Sequence, residues 1–509
     1  MAAAAADPRV EALVEDAIVW ASQHGLVVGL GGQAPAATLV HAPLSVLPVA
    51  FPRDRFEQAV SCMPRFNDLV DAVARDEEYL EATLAQAAAH DAFTGRLLQL
   101  LRDSRTARRK LAEGEVVLGI HRSDYMLDAP SGGFLQVELN TIASSFACLS
   151  TLTTRMHAHV LGRAGGGGAP LAGRLPPNDA TKSIAAAMAA AVAAAGGGVV
   201  IMVVQPGERN AYDQQWLQQA LWEAHGVRTA RMTLAQIAGG CEVDCVTGEL
   251  RMASPGAAGG GQRVGLVYFR AGYTPNDYPS ETEWAARLLI ETSAAAKCPT
   301  AAYQLAGSKK VQQQLAAAGE VERFVGAEGG AALRRLFAGL WSLDDPSAPE
   351  TTAVVADAIS NPERYVLKPQ REGGGNNLYG EELVARLKEG GAGLGAFILM
   401  QRILPSPQRS VMARQGAWSE EETLSELGIY GTFLRKGREV LLNENAGHLV
   451  RTKASSSNEG GVAAGFAVLD SPLLAAPGEG LLPPALEPAG APAGGGVLGA
   501  VLGRAGAVQ

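Results

Sequence analysis

Cysteine is scarce in this chain. Five stand among 509 residues (Cys62, Cys148, Cys241, Cys245 and Cys298), an odd number and mostly scattered. That usage excludes a disulfide scaffold and points to a reducing compartment. Cys241 and Cys245 are close in sequence but have no second Cys/His pair nearby, so they are expected as incidental thiols in a flexible loop. His157-Ala-His159 lacks an H-E-x-x-H context and is expected to be ordinary helical side chains. No G-x-x-x-x-G-K-[ST] occurs, which excludes a P-loop as the holder of any nucleotide. Excess positive charge is absent too: 43 basic against 52 acidic residues leave −9. Non-specific nucleic-acid binding needs phosphate neutralisation by Lys and Arg, so it is not expected, and the one basic cluster, Arg105 to Lys110, fits a solvated helix face. A long apolar run is also missing. Ile184 to Val204 carries no charge, but it is mostly Ala and Gly and is broken at Gly196 to Gly198. It is expected to form a helix ending near Ala195 and a buried strand, Val199 to Val204, in place of a membrane span. The first residues contain no cationic or apolar leader region, and acidic residues begin at Asp7. The expectation is cytoplasmic residence without a signal or clear transit peptide, a plastid pool being left open.

What is present is a globular composition, 47% hydrophobic and 19% charged, in a chain too long for one core. Residues 1–198 read as helix-rich: Val10 to Gln23, Arg55 to Glu77, Tyr79 to Ala89 and Phe93 to Glu113, with strands Val116 to Ile120 and Phe134 to Leu139. Residues 199–304 alternate strand and helix (Val199–Val204, Gln214–His225, Leu266–Phe269, Glu281–Ala296), the pattern of a small parallel-sheet α/β subdomain. Gly256 to Gly261 is expected to be a loop within it. Residues 305–470 hold the strands Tyr365–Leu367, Phe397–Met400, Ile429–Leu434 and Glu439–Asn443. Residues 471–509, dominated by Pro, Ala and Gly, are expected to be a disordered extension.

The most informative stretch is Lys368-Pro369-Gln370-Arg371-Glu372-Gly373-Gly374-Gly375-Asn376-Asn377. Three glycines after a strand let backbone N–H groups approach an anion closely, Lys368 adds a point charge for phosphate, and Glu372 offers a hard oxygen for Mg²⁺. Glu138-Leu-Asn140 ends an alternating strand, and period-two spacing turns Glu138 and Asn140 to one face. These features alone reach a Mg-nucleotide enzyme.

The loop in its longer form, KPQREGGGNNLYGEE (Lys368 to Glu382), resembles the glycine-rich loop of eukaryotic-type glutathione synthetase, an ATP-grasp ligase family. Eight further blocks follow the family's order: HRSDYM (His121 to Met126), VELNTIASSF (Val137 to Phe146), ERNAYDQ (Glu208 to Gln214), YFRAGY (Tyr268 to Tyr273), QLAGSKKVQQ (Gln304 to Gln313), SELGIYG (Ser425 to Gly431), HLVRTKA (His448 to Ala454) and GGVAAGFAVLD (Gly460 to Asp470).

The resemblance implies an α/β chain of α+β units. Its ATP-grasp fold clamps ATP between two such units, with a helix-rich N-terminal part and an inserted parallel-sheet substrate subdomain. It implies ATP-driven ligation of γ-glutamylcysteine with glycine through an acyl phosphate. A homoglutathione-type ligase using β-alanine or serine, or a catalytically silent ATP-binding homologue, remains open. Glu138, Asn140 and Glu372 match the metal ligands, for two Mg²⁺ per site. Lys309 and Lys368 match phosphate-side lysines. Pro369 to Asn377 and Tyr379 match the loop around ATP; Met400, Gln401, Arg402 and Ile403 match the adenine hinge; Glu426, Lys453 and Glu459 match further nucleotide positions. Arg122 and Arg451 match arginines of the substrate and transition-state region, where guanidinium forks suit carboxylate and phosphoryl oxygens. For the peptide substrate the matches are Ile142, Ala143, Ser144, Ser145, Glu208, Arg209, Asn210, Gln214, Arg270, Ala271, Gly272 and Tyr273. Val462 and Ala463 match the acceptor side, in a small-residue lid. Ala143 stands where relatives often have Ser, Ala271 where many have Asp, Glu459 where they have Asp, and Gln401 where many have an acidic residue. The family also implies a homodimer.

Overall fold

The computed structural model describes residues 7–30, 38–164, 169–208, 210–253, 261–370, 376–457, 461–462, 465–476, 478–482 and 496–502. Its spine is a mixed sheet of 13 strands among the described residues. At the centre runs Val116–Asp128, longer than the expected Val116 to Ile120 because its whole length finds partners. One edge pairs antiparallel with Ala417–Lys436, and the other pairs antiparallel with Gly133–Asn140 and parallel, at Lys297↔Val117, with Ala296–Cys298. Ala417–Lys436 forms a long hairpin with Glu439–Ala454.

Four parallel strands, in the order Thr229–Met232, Val199–Val203, Gln262–Phe269 and Ala296–Cys298, continue the sheet. The alternating segment expected as a subdomain is therefore joined to the main sheet by hydrogen bonds. Its helix was expected to reach Ala296, but Glu281–Thr292 ends four residues earlier. The helical preference of the alanines loses to strand pairing of Ala296–Cys298 between two long neighbours. Cys241 begins an edge strand, Cys241–Val243, Cys245 is exposed in the turn beyond it, and both thiols are free. Of the expected loop Gly256 to Gly261, residues 256–260 lie outside the described residues.

A separate three-stranded sheet, Leu340–Ser342, Phe397–Gln401 and Tyr365–Pro369, carries the helices Pro349–Ser360 and Gly380–Glu389 on its own core of Leu343, Leu367, Leu383, Leu387 and Leu399. Its opposite face, through Val366, Met400 and Ile403, packs over Met126, Leu135 and Val137 of the main sheet. Two α+β units thus face each other across one cleft.

The described residues after Asp470 differ from expectation. Pro472–Ala475 is a buried strand parallel to Val49–Pro52, and Gly496–Val501 is a short helix. Leu473 is fully buried, and Leu481, Leu482, Val497 and Val501 join the main core. The Pro/Ala/Gly average hides these spaced apolar residues. His157, as expected an ordinary helical side chain, accepts this strand's entry through Ser471 Oγ and also contacts the Ser45 carbonyl. Replacing Leu473 with Ala is expected to cost about 2–5 kcal/mol, read from the urea unfolding midpoint; a change below about 0.5 kcal/mol would restore the disordered-extension reading.

Burial holds three histidines neutral: His121 and His448 are pushed down to about 3 and His157 to about 4, in His157 against a bond to the Ser45 carbonyl. A folded pKa below the unfolded value of about 6.5 means stability that is present above pH 6.5 and lost as pH falls towards the folded value. His448→Leu is expected to flatten the stability–pH profile between pH 6 and 4 by about 1.4 kcal/mol per pH unit. Chemical denaturation at several pH values reads this, and parallel profiles would contradict it.

Candidate functional site

Strand register assembles the charged floor of the cleft. Arg122 lies opposite Asn140 on one side and Tyr430 on the other; two residues on, Asp124 lies opposite Glu138 and Gly428. Glu426, two residues further along its strand, lies opposite Arg451. Because side chains alternate, all these residues share one face, as the Glu-x-Asn spacing predicts.

Asp124 is the hub. Its Oδ1 accepts from Arg122 Nε at 2.6 Å, and its Oδ2 accepts from Arg122 Nη2 at 2.8 Å, Asn140 Nδ2 at 2.9 Å and Arg451 Nη2 at 3.0 Å. Arg451 Nη2 also donates to Glu426 Oε1. Burial pushes the Asp124 carboxyl up to about 6, while both guanidinium charges pull it down. Burial likewise opposes charge on Arg122, and the Asp124 carboxylate outweighs it. Gly428 makes this pair possible: a Cβ there would lie 2.6 Å from Asp124 Oδ1 and 2.9 Å from Arg122 Cδ.

Glu138 is held down at about 2. Burial alone would raise it, but the charges of Lys309, Lys368, Arg451 and Arg122 prevail. It is an ionised carboxylate facing four cations, and Lys368 Nζ is steadied on the Val137 carbonyl at 3.0 Å. Asn140 donates its amide to Asp124 and, at 3.2 Å, to Glu138. That orients its Oδ1 as an acceptor without a hydrogen bond among the described residues. Glu138 and Asn140 are hard oxygen donors of the kind Mg²⁺ takes.

The far end of the cleft sits at the carboxyl ends of the parallel strands, the usual ligand position in such sheets. Asp213 organises it. Its carboxylate accepts from Phe146 N, Cys148 N and Leu149 N at the start of the helix Ala147–Arg163, and from Arg270 Nη1 at 2.9 Å. Satisfying the helix's free N–H groups and Arg270 with one anion fixes the Ile142–Ser145 turn beside Arg270. Ala143 and Phe146 in that turn take positive φ, 51° and 70°, and Tyr430 Oη donates to the Ser145 carbonyl at 2.5 Å. Opposite, Glu208 Oε1 accepts from Asn210 N, and Glu208 Oε2 accepts from Gln214 Nε2, both at 2.8 Å. Asn210 Oδ1 and Ser144 Oγ are buried without a partner among the described residues.

One cleft of about 410 Å³ is lined by Arg122, Glu138, Asn140, Ile142, Ala143, Ser144, Ser145, Glu208, Asn210, Arg270, Tyr273, Lys309, Lys368, Asn376, Asn377, Tyr379, Met400, Gln401, Arg402, Ile403, Glu426, Arg451, Lys453 and Val462. Five candidates stand behind it. Gln214 backs Glu208. Ala271 and Gly272 shape the turn, with Gly272 at φ 94° and its N–H on Asp277 Oδ2. Pro369 ends a strand opposite Phe397, and Gln370 accepts from Lys310 N. Gln401 spends its side chain on Gly339 N. Val462 is buried in a turn ahead of the strand Ala467–Asp470. Arg209, Arg371, Glu372, Gly373, Gly374, Gly375, Glu459 and Ala463 lie outside the described residues. Sequence reasoning passed over Asp124 and Asp213, which touch the arginines from behind, and Met126, Leu424, Ser455, Ser457 and Gly461, which line the cleft. Asp124 and Asp213 were inside quoted blocks, but their partners are distant in sequence.

Two facing α+β units around a cleft, with Lys309 and Lys368 at one side, define an ATP-grasp protein. The model for the eukaryotic glutathione synthase ATP-binding domain matches residues 7–474. Glutathione synthetase of Solanum lycopersicum, named chloroplastic, is 48% identical, covering 91% of this chain and 84% of its own. The Homo sapiens glutathione synthetase is 38% identical, covering 91% and 97%. A glutathione synthetase-like effector from Globodera pallida shares the fold, with a TM-score of 0.73, 21% identity and coverage of 92% and 98%. The chain belongs to the eukaryotic glutathione synthase family.

Proposed function

We propose that this chain is an ATP-dependent ligase that joins γ-glutamylcysteine to glycine, giving glutathione, ADP and phosphate. The observation that carries the reading is one cleft holding two kinds of ligand seat: Lys309 and Lys368 around the ionised Glu138, and an acid–amide set, Glu208 with Asn210 Oδ1, facing Arg270 and Ser144. Acceptors on one side and donors on the other suit the ammonium and carboxylate of a γ-glutamyl head group.

Amide formation from a carboxylate is uphill in water. Transfer of the γ-phosphoryl group to the dipeptide carboxylate yields ADP and an acyl phosphate; the acceptor amine then attacks the acyl carbon, and phosphate leaves. Lys309 and Lys368 hold phosphate oxygens, and Met400 to Ile403 border the base. Arg122 and Arg451, clamped by Asp124 and Glu426, meet the negative charge that grows on the transferring and leaving oxygens. Such fixed charges in a desolvated site supply most of the catalysis of phosphoryl transfer. Glu138 and Asn140, with Glu372, would hold Mg²⁺, which when bound neutralises phosphate charge. Val462, which lines the same cleft as Arg451, borders the acceptor.

The resemblance also supports a homodimer. Cytoplasmic residence stays the reading for location. No described helix is long and apolar enough to cross a membrane, and the chloroplastic names of the tomato and Arabidopsis thaliana relatives keep a plastid pool open. ADP release from Mg-ATP and γ-glutamylcysteine, compared with glycine, β-alanine and serine as acceptors, tests the reaction. Glycine-dependent release with glutathione as product is expected. Preference for another acceptor renames the product, and ATP binding without acceptor-dependent release overturns the ligase.

A further inference from the structure

Arg231 has no place in the reaction as described. It lies on Thr229–Met232, the strand beside Val199–Val203, and its guanidinium is half-buried with no carboxylate within ion-pair distance among the described residues. Its one hydrogen bond among the described residues runs from Nη2 to Gln214 Oε1 at 2.7 Å. Gln214 is fully buried and donates its Nε2 to Glu208 Oε2 at 2.8 Å. Glu208 in turn accepts from Asn210 N, and the Asn210 side-chain Oδ1 is buried without a partner among the described residues.

The two ends of a glutamine amide have nearly the same shape, so only hydrogen bonds decide which end faces Glu208. A guanidinium is donor-only and accepts nothing. Arg231 therefore forces Oε1 of Gln214 towards itself and Nε2 towards the carboxylate. With the amide reversed, an oxygen would meet Glu208 Oε2, and the carboxylate would be repelled from its place in the cleft wall. We propose that Arg231 is a positioning residue for the substrate's ammonium group: through Gln214 it sets Glu208, beside Asn210 Oδ1, as a pair of acceptors for a primary ammonium. The assignment rests on the γ-glutamyl reading of this end of the cleft. It adds a requirement for the α-amino group, enforced by a residue that does not touch the substrate.

The test uses the full chain carrying Arg231→Met, which keeps the aliphatic stem and removes every donor, and Arg231→Lys, which restores one. Steady-state ADP release is measured with γ-glutamylcysteine and with N-glutaryl-cysteine, the analogue lacking the α-amino group. Arg231→Met is expected to raise KM for γ-glutamylcysteine about tenfold, with kcat and the KM values for ATP and glycine within about twofold of wild type. Its preference for γ-glutamylcysteine over the glutaryl analogue should shrink by a similar factor, and Arg231→Lys should recover most of both. Unchanged KM and unchanged discrimination in Arg231→Met overturn the proposal. So does a fall in kcat with all KM values shifted alike, which marks a general structural role. Absence of γ-glutamylcysteine-dependent ADP release in the wild type measured alongside overturns the reaction itself, and this assignment with it.

Discussion

Replacing Arg451 with Ala is expected to lower kcat by about 10³-fold or more, the scale on which arginines act in phosphoryl transfer. Arg451 Nη2 reaches both Asp124 Oδ2 and Glu426 Oε1, so its guanidinium is held by two carboxylates before any substrate arrives. A charge oriented in advance and shielded from water needs no reorganisation when negative charge develops. Removal also leaves Asp124 and Glu426 facing each other without their shared cation, and breaking a buried pair in this way costs about 3–5 kcal/mol. Arg451→Lys separates the two effects. It returns a positive charge between the carboxylates but loses the planar fork. Its melting temperature should recover most of the loss while kcat stays at least about tenfold down, because one ammonium cannot span the same oxygens. If Arg451→Ala turns over within tenfold of wild type in single-turnover ADP formation, the transition-state role is lost.

Replacing Glu138 with Gln is the second large effect. The substitution keeps the volume and leaves an oxygen to accept from Asn140 Nδ2, as Oε1 does now. What it removes is charge. The carboxyl is held at about 2, burial being outweighed by Lys309, Lys368, Arg451 and Arg122. Those cations gather around the Glu138 carboxylate, an arrangement that phosphate and metal together would complete. Expected results are a loss of about 10³-fold in kcat and a Mg²⁺ requirement moved at least about tenfold higher, with the urea midpoint close to wild type. A Mg²⁺ titration of ADP release reads this directly. Should kcat fall while the Mg²⁺ midpoint stays put, Glu138 serves the lysines alone, and its place among the metal ligands is wrong.

Several parts of this picture were legible in the chain. The Glu138-x-Asn140 spacing places both residues on one strand face, and the backbone register agrees. Lys368 after the apolar Val366 and Leu367 reads as a strand entering a polar loop, and Tyr365–Pro369 is that strand. The alternation after Val199 reads as a parallel sheet, and four parallel strands are present. Local patterns are enough for such features: side-chain alternation repeats within a few residues, and strand–helix alternation itself favours parallel pairing.

Other parts were not legible, for definite reasons. Asp124 is one polar residue in a strand until Arg451, 327 positions away, comes to 3.0 Å. Gly428 is one glycine among 60 until the Arg122–Asp124 pair occupies the space its side chain would need. Ala296 continues an alanine-rich helix by propensity and becomes strand by pairing. The segment after Asp470 looks disordered by average composition, yet Leu473 and Leu474 are buried against the first hundred residues and Ser471 reaches His157.

By itself, then, the sequence determined the inventory and the local geometry: which charges exist, which strands and helices form, and which residues two apart share a face. Only the tertiary structure decided which of those charges meet. Strand order and register place Arg122, Asp124, Glu138, Glu426 and Arg451 in one desolvated patch, and the strength of a charge depends on what surrounds it once water is gone. That surrounding is assembled from segments hundreds of residues apart, beyond the reach of any local pattern.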